Sequence, residues 1–89
     1  MTIGEGHNPN GKQGQPTRAE WAKIRKFGRR VKELRCKKLT HLKDVEKLGW
    51  KSYQHWSDIE AGRRNVSFAT VIRIAKLLDV KLHDLFESQ

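Results

Sequence analysis

Tyr53, Gln54, His55, Ser57 and Asp58 fall together in mid-sequence, and all five side chains hydrogen-bond. They stand on a segment where Lys and Glu would be usual for a solvated helix face. Such a polar, non-repelling face, with its amino end at Ser52, suits insertion into the major groove of duplex DNA. Other chemistries read poorly. His7, His41, His55, His83 and Cys36 show no pair at metal-ligand spacing, so no metal and no other cofactor is expected. Cys36 reads as a half-buried helix residue without a paired base, and no catalytic residue is expected. Gly4-Glu5-Gly6 and Gly11-Lys12 lack the strand and the Ser or Thr of a phosphate loop. Asn65-Val66-Ser67 matches a glycosylation sequon but reads as a loop followed by a helix cap. Trp50 and Trp56 can serve as stacking platforms for single-stranded nucleic acid, yet at helix-anchor positions they read as core.

The elements that must hold the polar face follow from periodicity and caps. Residues 1–15 lack apolar periodicity and are expected to be a flexible tail, leaving 16–89 as the folded domain. Thr17-Arg18-Ala19-Glu20 has the pattern of a capping box. Behind it Trp21, Ile24, Phe27 or Gly28, Val31 and Leu34 make one apolar stripe, which predicts a long helix to about Lys37. Thr40 is the expected cap of a short second helix with Leu42, Val45 and Leu48 on one face, stopped at Gly49. Ser52 opens a third, with Trp56 and Ile59 inward and Gly62 at its end. Ser67 caps a fourth bearing Val71, Ile74, Ala75 and Leu78, which ends at Asp79 in a left-handed conformation. Leu82, Leu85 and Phe86 predict a fifth, short helix. Nothing alternates with period two, so the fold class is all-α, a compact five-helix bundle. Thr40 to Gly62, two short helices about a glycine turn, has the layout of a helix-turn-helix.

Composition points the same way. The 89 residues carry 19 Lys and Arg against 10 Asp and Glu, a formal charge of +9. Between Arg18 and Lys38 ten basic residues face only Glu20 and Glu33, while the rest of the chain is nearly neutral. Much of such a run is a solvated face, but its one sign favours a polyanionic partner, nucleic acid before membrane. No apolar run is long enough for a membrane span or a signal peptide, and a lone cysteine allows no internal disulfide. A cytoplasmic protein is expected.

Leu34-Arg35, Thr40-His41, Val45 to Gly49, and Ile59-Glu60-Ala61-Gly62-Arg63-Arg64-Asn65 resemble the Xre/Cro family of lambda-repressor-like DNA-binding domains. The run from Phe68 to Phe86 is similar to that family's last two helices, and the resemblance covers roughly residues 27–86. It implies an ion pair between Arg35 and Glu60. Tyr53, Gln54, His55, Ser57 and Asp58 then fall where members read base edges. Thr40, His41, Lys51, Ser52, Arg63, Arg64 and Asn65 fall on the phosphate backbone. Gln54 can bond bidentately to adenine, Asp58 can accept from cytosine or orient a basic neighbour, and Tyr53 can meet a thymine methyl or a phosphate. With no arginine on the helix to read guanine, an A·T-leaning or shape-dependent site is expected.

Three features depart from the family pattern. The turn Gly49-Trp50-Lys51-Ser52 has one extra residue, Asp44 stands at a normally apolar place, and the basic first helix starts about ten residues early. Together these readings predict a transcriptional regulator, a repressor in the simplest case, that binds double-stranded DNA as a homodimer. Leu82 and Phe86 are its candidate dimer contacts, and no ligand-sensing domain is expected after Phe86. Alternatives are an antitoxin-like or restriction-controller protein coupled to a protein partner, or a helical protein–protein adaptor.

Overall fold

The computed structural model describes residues 15–86. Their elements are α1 (Arg18–Lys38), a 3-10 turn (Leu42–Val45), α2 (Tyr53–Glu60), α3 (Phe68–Leu78) and a second 3-10 turn (Leu82–Leu85), with no strand among the described residues. The tail expected over residues 1–15 lies outside this range apart from Gln15, as do residues 87–89 of the domain.

The all-α class holds, but the count of five helices is corrected to three α-helices and two 3-10 turns. Amides from Asp44 to Gly49 each bond the carbonyl three residues back, at 3.0–3.1 Å, apart from Val45 within the turn itself. That is the ladder of a 3-10 turn, the form short segments take. The expected Thr40 cap is absent: His41 holds the cap position and makes no side-chain cap bond. Leu48 is exposed as well, because the chain reverses at Gly49 and brings Trp50 back against the core in its place. The last four-residue turn closes on Asp84, whose Oδ2 accepts from the Lys81 amide at 3.1 Å. It buries Leu85 and leaves Leu82 and Phe86 exposed.

Caps explain where the true helices start. The Thr17 hydroxyl accepts from the Glu20 amide at 3.1 Å while the Glu20 carboxylate accepts from the Thr17 amide at 2.8 Å. Ser67 accepts from the Thr70 amide at 3.2 Å to open α3. Three stops share one geometry: a left-handed residue at Gly49, Gly62 or Asp79 (φ 107, 75 and 57°), then an amide returning five residues. Trp50 bonds the Val45 carbonyl, Arg63 that of Asp58 and Val80 that of Ala75.

The core gathers Val31 from α1, Val45, Trp56 and Ile59 from α2, Val71, Ile74, Ala75 and Leu78 from α3, and Leu85. Leu42 and Trp50 both pack on it beside Asp44, which turns to Lys47 at 3.4 Å. α1 crosses the end of α2 at Gly28, where a Cβ would collide with the carbonyl oxygens of Ile59 and Glu60. One turn earlier Arg25 lies over Gly62, again with no room for a Cβ. The amino-terminal turns of α1 therefore pass the loop after α2. Cys36 is exposed, not half-buried as its place in the pattern suggested.

Candidate nucleic-acid interface

α2 is the element that displays the polar residues, and its position is fixed from behind. Arg35 of α1 donates to Glu60 through Nε at 2.6 Å and a terminal nitrogen at 3.2 Å. Both side chains are more than nine-tenths buried, 7% and 8% exposed. Trp56 Nε1 donates to the same Glu60 carboxylate at 2.6 Å, so three donors hold it. The hydrogen bond from Glu60 raises the Arg35 pKa above its already high ordinary value. Breaking one partner of such a pair leaves a buried charge without its counter-ion.

The amino end of α2 is closed by two side chains. Ser52 Oγ accepts from the amides of Gln54 at 3.2 Å and His55 at 3.4 Å. Glu46 Oε2 accepts from the Tyr53 amide at 2.7 Å, a role absent from the sequence reading. The nearby Lys43 ammonium sits 5.6 Å from the centre of the Tyr53 ring. Only the arrival of Glu46 at a helix amino terminus seven residues on would have signalled this, and that needs the turn's geometry.

The expected base-reading residues differ in their freedom. Gln54 is exposed, and its carboxamide bonds no other described residue. Tyr53, His55, Ser57 and Asp58 are half-buried. The Asp58 carboxylate is taken by arginines: Arg63 at 3.0 Å through one oxygen, Arg64 at 3.5 Å through the other. It thus orients basic neighbours and is partly neutralised by them.

His55 is held by Trp50 of the lengthened turn. Trp50 Nε1 donates to His55 Nδ1 at 3.0 Å, with the rings stacked at a centroid distance of 5.8 Å. Trp50 in turn meets Trp56 edge-on, 4.9 Å away and inclined by 86°. Burial, Lys51 and Arg64 lower the His55 pKa from its ordinary 6.5, against a weaker opposing pull from Asp58. Both tryptophans pack in or on the core, as expected for helix anchors.

Around the helix, Thr40, His41, Lys51, Arg63, Arg64 and Asn65 are exposed, and Ser52 is half-buried as the cap. A cleft of about 460 Å³ opens beside α2, lined by Trp21, His55, Arg63, Arg64, Ser67 and Thr70 among others. Sequence reasoning left Trp21 a choice between thickening the core and facing a partner; it borders this cleft, half-buried. Arg30 of the basic run turns away, its Nε donating to the Asp84 carbonyl at 2.8 Å. Among the described residues no three His, Cys, Asp or Glu side chains cluster as metal ligands, and no helix is long and apolar enough to cross a membrane.

Comparison with known proteins places this geometry. A family model described as helix-turn-helix matches residues 31–85. The HTH-type transcriptional regulator DdrOP3 of Deinococcus deserti is 36% identical over 62 residues, which are 70% of this chain and 48% of that protein. The chain thus spans about half the length of this curated relative. Among solved structures, the restriction-modification controller protein C.AhdI of Aeromonas hydrophila superposes with a TM-score of 0.69 at 31% identity, covering 75% of this chain and 97% of that one.

Proposed function

Because the chain belongs to the Xre/Cro-like helix-turn-helix family, we propose that it regulates transcription by inserting α2 into the major groove of duplex DNA. The observation that carries this reading is the exposed carboxamide of Gln54, bonded to no described residue, on a helix whose flanks hold Lys51, Arg63 and Arg64. Gln54 reads a base, adenine being its bidentate match, with Tyr53, His55 and Ser57 beside it. Asp58 acts chiefly through Arg63 and Arg64, holding both along the groove for phosphates. Thr40, His41, Lys51, Ser52 and Asn65 complete the backbone contacts. The protein needs no cofactor for this and performs no catalysis.

A symmetric homodimer in the cytoplasm is the working form. Phe68 is 64% and Phe86 58% exposed, with Ile72 one turn from Phe68 and Leu82 near Phe86. These apolar residues provide the dimer contact, and two copies set their α2 helices about 34 Å apart on successive grooves. Repression by occupying a promoter is the simplest output. A second reading, control of a restriction-modification system, is favoured by the similarity to C.AhdI over nearly its whole length. Selection of bound duplexes from a randomised library at near-physiological salt tests the proposal. A two-fold motif with half-sites one helical turn apart is expected; retention without any enriched motif would refute it.

A further inference from the structure

Trp50 stands in the turn that is one residue longer than the family pattern, and its indole makes a hydrogen bond that sets the state of a recognition-helix side chain. An indole nitrogen can only donate. His55 Nδ1, 3.0 Å away, must therefore accept, and in a neutral imidazole the proton then resides on Nε2. The half-buried ring is held in this orientation by stacking on Trp50, which is itself braced edge-on by buried Trp56. Nε2, the atom farther from the backbone, meets no described acceptor, and the ring borders the cleft that runs along α2.

We propose that Trp50 is a specificity-setting positioning residue, which fixes His55 as a neutral Nε2–H donor and so makes it select hydrogen-bond acceptors on DNA. This rests on the reading of α2 as the DNA-facing helix. The opposite tautomer would offer Nε2 as an acceptor and favour the amino groups of adenine or cytosine. The fixed tautomer favours purine N7, guanine O6 or thymine O4. That restores to α2 a means of reading guanine that its lack of arginine had removed. The charged groups facing His55 are Lys51, Arg64 and Asp58, with Arg63 on the same cleft. Burial first, and then the net positive sign of these groups, lower the His55 pKa from 6.5 and favour the neutral ring near pH 7, the state in which the Trp50 bond exists.

Nitrogen NMR of the imidazole in the DNA-free protein reads the tautomer directly. The expected result is a bare, pyridine-like Nδ1 and a protonated, pyrrole-like Nε2 for His55 in place of the tautomer mixture of a free neutral histidine, relaxing toward that mixture in Trp50→Phe. That variant keeps an aromatic ring against Trp56 but has no N–H. A mixed or reversed tautomer in the unaltered protein would overturn the proposal, and needs no variant to fold. The second measurement is binding to the selected duplex and its single-base variants. Trp50→Phe and His55→Phe should each weaken binding roughly two- to tenfold, the span of one net hydrogen bond, and together no more than either alone. A loss confined to one base position is expected, and a uniform loss, the mark of a phosphate contact, would overturn the specificity-setting role. Additive losses would overturn the coupling. If the tautomer is as expected but the unaltered protein holds no specific duplex, the DNA-facing role of α2 has failed, and the proposal with it.

Discussion

In the proposed function Gln54 reads and the two arginines after α2 hold, so their variants should differ accordingly. Gln54→Ala removes a side chain that bonds no described residue, so stability should stay within about 0.5 kcal/mol while base preference relaxes. Arg63→Ala should weaken specific and random duplexes alike and lower the slope of log affinity against log salt by about 1. Parallel binding titrations on both duplexes at several salt concentrations check the pair. His55 adds a pH dependence to folding. Its pKa is lowered in the folded state from 6.5, so the unfolded chain binds the proton more readily. Its contribution to stability is whole above pH 6.5 and declines as pH falls from there through the lower folded value. Denaturant unfolding from pH 8 to pH 5 should show that decline, and His55→Phe should flatten it.

At the scale of elements, α2 depends on its cap and on the pair behind it. Ser52→Ala should cost about 1 kcal/mol, since two amides lose their acceptor. Glu60→Gln should cost more, about 3–5 kcal/mol, because Arg35 then stays buried without its counter-ion. Gly62→Ala should be severe too: the residue is left-handed at φ 75°, and its Cβ would strike Arg25 of α1. Thermal melts rank the three variants. These differences also show what the sequence could reveal. The Thr17, Ser52 and Ser67 caps each act over two or three residues, so spacing alone exposed them. The spacing from Thr40 to Gly49 predicts a short helix, because a 3-10 turn carries similar apolar spacing over so short a run. The bond from Trp50 to His55 and the cap from Glu46 to Tyr53 were not legible at all. Both cross the reversal at Gly49, whose direction periodicity does not encode. Asp58 stood among base readers with an alternative as a partner for basic residues, and the loop that folds Arg63 and Arg64 back onto it makes the second role the visible one.

For the whole molecule, charge and apolar surface point to different partners. The basic excess concentrates on α1, whose amino-terminal turns run past Gly62 beside the cleft that flanks α2. Part of it is structural, as Arg30 and Arg35 show, and in the proposed function the remainder supplies the long-range attraction to a polyanion. The apolar patches at Phe68, Ile72, Leu82 and Phe86 suit a second copy of the chain. Leu82→Glu should shift the molecule toward monomer in sedimentation at micromolar concentration and weaken binding to a two-half-site duplex far more than to one half-site. Phe86 is less suited to that test, since it also stacks on Phe27 at 5.5 Å.

The claim that α2 reads DNA is tested most directly by measuring Gln54→Ala and the unaltered protein against every single-base variant of the selected duplex. Salt is held constant throughout. Loss of discrimination at one base pair in each half-site, with the others unchanged, is the predicted result. An equal change at all positions, or none, would contradict the placement of α2 in the groove.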